Sequence, residues 1–379
     1  MIREAFGKLD EYCSSQSYGG WDLYDGLNSI LFKKIPFFKS DFMRLVWIQL
    51  FKQSPVNLRP ITFVPKGINA KGLALFASGM IQLKRYEEAE QLLKQLLAIK
   101  CAEKWGISWG YNFPWQARAF YVPAGTPNIV TTVFVANAFL DMFEATEDYD
   151  YLQMAKGSGE FILHHLLLFE KESAICFGYI PGEPARVHNA NMLGGAFLGR
   201  LFKHTGDKAL YDKSKKSFSY SMNAMTSDYY WHYGERSHHS FIDNFHTGFN
   251  LVALKSWICS TGDNIWEKDL ARAYNAYLNT FWLEDGCPKY YNDRLYPIDI
   301  HCSAQGIVTC LKLERYDERS FSFAKKIAQW AINNMQDRKG FFYCQKTRYY
   351  TNRIPYIRWA QAWMFYALAL YISKRGEEK

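Results

Sequence analysis

Long apolar runs are missing from this chain of 379 residues. No stretch reaches the roughly 18 apolar residues that a bilayer-spanning helix needs, so no membrane span is expected. The first residues, MIREAFGKLDEY, are charged and carry no apolar core of about 7–15 residues. They do not read as a secretory leader, and a cytoplasmic protein is expected. Basic residues are scattered, and none of the 45 Lys and Arg falls in a run of five or more. A nucleic-acid surface would need a basic face or stripe, so no nucleic-acid partner is expected. Metal-ligand spacing is absent too. The eight cysteines (Cys13, Cys101, Cys176, Cys259, Cys287, Cys302, Cys310, Cys344) form no CxxC pair, and the histidines form no HxH or HxxxH. No metal and no other cofactor is expected. Several of these cysteines sit in apolar sequence, which suits buried, reduced thiols.

What the chain has is repetition. Five stretches are variants of one another about 55–61 residues apart: Asn128–Asp141, Asn189–Phe202, Asn244–Lys255, His301–Leu313 and Tyr356–Leu370. A fainter sixth, Asn69–Leu83, lies one period upstream. A repeat of this length signals a supersecondary unit that buries its apolar face only against its neighbours, which favours one large domain. Each unit opens on an apolar stretch rich in small residues, such as Gly194, Gly195, Ala196 and Gly199. A helix apolar nearly all round is a buried one. A turn follows, Thr146-Glu147-Asp148, Thr205-Gly206-Asp207 or Thr261-Gly262-Asp263, with an acid where a helix start wants an anion. Then comes an amphipathic, Lys-rich helix whose polar face suits solvent. Six inner and five outer helices result, and Ser40–Gln53 is expected to supply the sixth outer one. The reading is an all-α (α/α)6 toroid over residues 38–379, preceded by an N-terminal arm over 1–37.

The connections from each outer helix to the next inner one are long and share Gly, Pro and aromatics, as in Trp105–Trp115 and Phe177–Pro181. They read as short β-hairpins over one mouth of the ring, and long loops in a compact domain are usually functional. Aromatics make 17% of the chain. Such rings suit sugar faces, and equally they pack a loop layer.

This pattern resembles the six-hairpin toroid enzymes that act on carbohydrates: unsaturated glucuronyl hydrolases, N-acylglucosamine and cellobiose 2-epimerases, and toroid uronate lyases. The resemblance covers about Ser40 to Ser373 and rests on the repeat and the TGD-type turns. Through Asp243–Phe249 and Arg358–Trp363 the chain also resembles toroid proteins encoded among bacterial surface-polysaccharide genes. It lacks the Cys/His zinc cluster of lanthionine cyclases and the QW-type repeats of triterpene cyclases.

In a closed ring the polar starts of the inner helices surround one axis. Asp243 and Asp299 are the paired carboxylates there. An inverting glycosidase needs two, about 6.5–9.5 Å apart, although an Asp at a helix start is also a common N-cap. His188, His246 and His301 stand at inner-helix starts as well, and His246 or His188 suits a neutral base. Arg353 and Arg358 flank the sixth start and Arg186 precedes the third, and their forks suit carboxylates. Trp109, Asn112, Trp115, Gln116 and Arg118 precede the second start, Asn189 and Asn191 open the third, and Tyr356 and Trp359 belong to the sixth. The N-terminal segment adds Asp22, Tyr24 and Asp25, as a lid or as a packed arm. The expectation is a carbohydrate-active enzyme on an acidic oligosaccharide or polysaccharide, hydrolysing or hydrating with Asp243 and Asp299. Two alternatives stand beside it. One is a lyase or epimerase using His246, His188 and a tyrosine (Tyr356 or Tyr24) for proton transfer. The other is a non-catalytic glycan-binding scaffold. Nothing in the sequence sets an oligomeric state.

Overall fold

The computed structural model describes residues 1–35, 40–116 and 121–377. Helix α1 (Ile2–Ser15) comes first, then the short α2 (Ile30–Lys34) and α3 (Asp41–Gln53). Five helical hairpins follow: α4 (Ala70–Gln82) with α5 (Tyr86–Ala98), α6 (Ile129–Thr146) with α7 (Tyr149–His165), α8 (His188–Thr205) with α9 (Lys208–Met222), α10 (Asn244–Thr261) with α11 (Glu267–Thr280), and α12 (Ile300–Lys312) with α13 (Ser320–Met335). A π-helical turn, Ile357–Ala362, leads into α14 (Trp363–Glu377).

Helices α4, α6, α8, α10, α12 and α14 each pack on the next, and α14 returns to α4, so the ring is closed. Close approach is why small residues recur in these six. A Cβ on Gly194 would meet Ile129 Cδ1 at 2.7 Å, and one on Gly199 would meet Trp257 Cδ1 at 2.9 Å. The turns work as the residue types dictate. Gly206 and Gly262 end their helices in the left-handed region, with φ of 70° and 74°. Asp148 and Asp207 then cap α7 and α9 through the N–H groups of Asp150 and Ala209.

The sixth outer position corrects the expectation for Ser40–Gln53. Helix α1 fills it, packing on α14 and α13. Phe6 meets Phe365 at 4.9 Å, and Gln336 Nε2 donates to the Ala5 carbonyl. The reason is the apolar stripe Ile2, Ala5, Phe6, Leu9, Cys13, which is buried at i, i+3, i+4, i+7 and i+11. Helix α3 instead packs beside the turn Asp25–Asn28 at the mouth of the ring. The expected boundary at residues 37 and 38 lies outside the described residues.

The outer-to-inner loops carry short strands. β1 (Trp115–Gln116) pairs with β2 (Tyr121–Val122), and β3 (Leu167–Glu170) with β4 (Ile175–Phe177), both antiparallel. β5 (Ile298–Asp299), β6 (Gln345–Lys346) and β7 (Thr351–Asn352) form one antiparallel sheet that ties the last two loops together. Among the described residues one helix, α6, is long and apolar enough to cross a bilayer by length and composition. It is an inner helix of the ring, with 61% of its span buried.

Candidate active site

The first turns of the inner helices and the loops above them gather at one mouth. Asp243 is the N-cap of α10. Its Oδ1 accepts the His246 backbone N–H at 2.8 Å, and its Oδ2 takes the hydrogen of His246 Nδ1 at 2.7 Å. Only 1% of the Asp243 side chain is exposed, against 21% for His246. A buried carboxylate on Nδ1 fixes the tautomer and leaves Nε2 for chemistry. Phe245 and Tyr233 flank the imidazole, with ring centroids 4.1 and 4.6 Å away.

Asp299 caps α12 through the His301 N–H at 2.9 Å. Trp359 Nε1 donates to both its oxygens, at 3.0 and 3.2 Å, and Gln345 Nε2 to one, at 3.2 Å. Burial pushes this carboxyl up to about 6, against those hydrogen bonds. His301 lies beside it under Trp359, Trp363 and Phe245 at 4.5–4.7 Å. Neither ring nitrogen has a hydrogen-bond partner among the described residues. Burial, then the charges of Lys71 and Arg358, holds its pKa well below the usual histidine range, so the ring is neutral.

The N-terminal segment enters this mouth through two buried ion pairs. Arg358 grips Asp22 bidentately at 2.6 and 2.7 Å. Arg59 binds Asp25 at 2.6 Å and donates to the Tyr356 hydroxyl at 3.0 Å. Burial raises Asp25 to about 6 despite Arg59. Tyr24 stands edge-on to Trp359 at 5.6 Å, and Lys52 Nζ lies 5.3 Å over the Tyr24 ring. Asp22, Asp25 and Tyr356 are therefore spent on holding the segment, and Arg358 on Asp22. Of the two readings of this segment, the ion pairs favour the packed arm over the lid, and they occupy the Arg358 fork that was expected to suit a substrate carboxylate.

Other expected residues lie elsewhere. His188 turns to the outer helix, with Nδ1 3.3 Å from Ser221 Oγ, and it does not join the cluster. Asn191 serves the Phe177 N–H and the Ser217 carbonyl. Trp109 is fully buried and donates to the Leu96 carbonyl. Arg353 is exposed, over the Tyr343 ring, and Arg186 pairs with Glu235 on the surface. Asn112 is exposed at the rim and accepts from Asn69 Nδ2. Trp115 stands edge-on to Tyr179 at 6.0 Å, and Gln116 is buried in β1. Asn189 is buried, and its Oδ1 has no partner among the described residues. Arg118 lies outside the described residues.

Three charged groups escaped the sequence reading, Lys52 near the end of α3 among them. Arg59 belongs to no repeat. Lys71 is buried in the first turn of α4, with Nζ 4.3 Å over Phe134 and 5.1–5.2 Å over Trp363 and Phe249. No hydrogen bond or ion pair reaches it among the described residues. Burial, then Arg358, depresses its pKa well below the usual lysine range. A signal for Lys71 existed. Asn69 caps α4 two residues before Lys71, as Asp299 caps α12 two residues before His301.

The rings of Phe134, Phe249 and Trp363 also line a cavity of about 340 Å³ that opens at the opposite end, near Asp141, Arg200 and Lys312. They separate it from the mouth. The cavity has its own charged lining, where Arg200 binds Asp141 and Glu144, apart from the Asp243, His246 and Asp299 cluster at the mouth.

The architecture has solved counterparts. A sugar epimerase from a ruminal bacterium is 14% identical, with a TM-score of 0.60 over 81% of this chain and 86% of that one. Cellobiose 2-epimerase from Bacillus thermoamylovorans is 14% identical, with a TM-score of 0.62 over 81% and 86%. A glycoside hydrolase family 76 α-mannanase from Bacteroides thetaiotaomicron is 15% identical, with a TM-score of 0.60 over 82% and 87%. The fold is the (α/α)6 toroid. No family model and no curated protein matches the chain. Identities this low carry the toroid and nothing further.

Proposed function

We propose that this toroid is a carbohydrate-active enzyme that moves a proton on a sugar, as an epimerase or lyase does, with His246 as the base. The observation that carries the reading is the Asp243–His246 pair at 2.7 Å: a buried carboxylate behind a half-buried imidazole. Such a pair orients the ring and stabilises its protonated form, which a base needs on taking up a substrate proton. Phe245, Tyr233 and Tyr290 supply apolar walls for a sugar ring. The named activities of the toroids it is similar to, epimerases and a mannanase, fit the same substrate class.

Hydrolysis by an Asp243/Asp299 pair is less supported, because both Asp243 oxygens are engaged by His246. One observation keeps it as a second reading: a buried Asp299 titrating at about 6 suits a general acid. Support for an acidic substrate is thinner than the sequence implied, since Arg358 and Arg186 have carboxylate partners. Lys52 remains, raised in pKa chiefly by Tyr24.

Product analysis separates the readings. A panel of reducing sugars and uronate oligosaccharides would be followed by NMR and near-ultraviolet absorbance. Proton transfer gives an epimer or an unsaturated uronate, lost by about 10²–10⁴-fold in His246→Gln. New reducing ends that survive His246→Gln and vanish in Asp299→Asn would move the assignment to hydrolysis.

A further inference from the structure

Between residues 30 and 66 the chain exposes apolar side chains more densely than anywhere else. Nine of the seventeen large apolar side chains exposed among the described residues fall in this span. On α3, Phe42, Val46 and Leu50 stand at i, i+4 and i+8 and form one outward stripe, with Phe42 71% exposed. The other face of the helix buries Ile48 and Phe51. Helix α2 packs on α3 through Phe32 and Trp47, ring centroids 5.4 Å apart. The Ile30 N–H donates to the Phe63 carbonyl, which sets exposed Ile30 beside exposed Phe63. The apolar side chains of α2, α3 and the 61–63 turn thus belong to one packed unit.

The same span is basic. It holds seven Lys and Arg against Asp41 alone, a net charge of +6 in a chain whose total is +8. Arg59 and Arg44 are paired, with Asp25 and Asp41. Lys33, Lys34 and Lys66 are exposed, and Lys39 lies outside the described residues. A soluble surface gains nothing from so much exposed apolar area, and a patch of this kind marks an interaction site. Aliphatic and aromatic side chains rimmed by lysines are the pattern of a surface that lies in a membrane interface, its apolar groups among acyl chains and its cations at anionic headgroups. A second copy of the chain is disfavoured as occupant, because the face would set the exposed Lys33, Lys34 and Lys66 against the same lysines of the other copy.

We propose that α2, α3 and the turn at 61–63 dock this protein onto an anionic lipid surface without spanning it. Helix α3 packs beside the turn Asp25–Asn28, and Lys52 near its end lies over Tyr24, so docking places the mouth beside the bilayer. If the mouth acts on sugars, a sugar carried on a lipid comes within its reach. That consequence rests on the proposed function, whereas the docking does not.

The test is co-sedimentation of the full chain with vesicles of phosphatidylcholine, with and without phosphatidylglycerol. The expected result is binding to the anionic vesicles only, weakened as salt shortens the screening length. Phe42→Ser/Val46→Ser/Leu50→Ser should lower the bound fraction about tenfold or more. Lys33→Gln/Lys34→Gln should lower it as well, and it serves if the triple variant unfolds. Circular-dichroism melting checks the fold of each. Absence of binding by folded protein, equal binding to both vesicles, or self-association abolished by the triple variant would each overturn the proposal.

Discussion

Burial sets the carboxyl groups of Asp299 and Asp25 at about 6, above the ordinary aspartate value of 3.8. For such groups the native state holds protons that the unfolded chain has released between pH 4 and 6. Their contribution to stability is present at low pH and is lost as pH rises through about 6. His301 acts with the opposite sign. Held neutral, it weakens the fold as pH drops below the ordinary histidine range, because the unfolded chain takes up a proton there. A difference measurement isolates the aspartate. Asp299→Asn should gain on the wild type by about 2–3 kcal/mol between pH 4 and pH 7, read from denaturant unfolding at both. A difference that does not change with pH would contradict the assignment. The ion pair Arg358–Asp22 makes a second prediction. Arg358→Met leaves a buried carboxylate unpaired and should cost about 3–5 kcal/mol, while Arg358→Met/Asp22→Asn should recover part of it. At this scale the sequence was legible where the repeat register held. Asp243, Asp299, His301 and Arg358 gather at one mouth, as their equivalent places in the repeat imply. His188 was not separable, because register within the first turn decides direction. It is the first residue of α8, whereas His246 is the third of α10, and two helical residues rotate a side chain by about 200°.

Helices sort by which face they bury. The inner and outer alternation was legible because the apolar pattern changes within every unit. The sixth outer helix was not. Both α1 and α3 have the length, and α3 lies next to the first repeat. Only α1 carries a stripe that the ring can bury, and α3 turns its own stripe outward. Removing residues 1–16 should therefore expose the outer side of α14 and abolish cooperative melting, measured by calorimetry. A truncated chain that melts as before would contradict the role of α1. Packing between elements gives a further test at Gly306 on α12, where an added Cβ would sit 2.1 Å from the Trp282 ring. Gly306→Ala should lower stability by about 1–3 kcal/mol, although alanine favours a helix by about 1 kcal/mol. A neutral or stabilising change would show that the ring has slack there.

The whole molecule is a closed toroid with one mouth filled by charged and aromatic groups. Closure brings together side chains as distant in sequence as Asp22 and Arg358, a pairing that no local pattern announces. For that reason the cluster was legible only in part, and the arginine–aspartate plug was read as substrate-binding machinery. In the proposed reaction the buried Asp243 orients His246 as the base. The measurement that tests it most directly is deuterium uptake from D2O into a sugar turned over by the wild type, set beside Asp243→Asn. Asn keeps the cap to the His246 N–H, so the unfolding free energy should hold within a few tenths of a kcal/mol. Its amide would set a donor against Nδ1 and favour the other tautomer, so exchange should fall about 10²–10⁴-fold. A stable Asp243→Asn protein that exchanges at the wild-type rate would contradict the account.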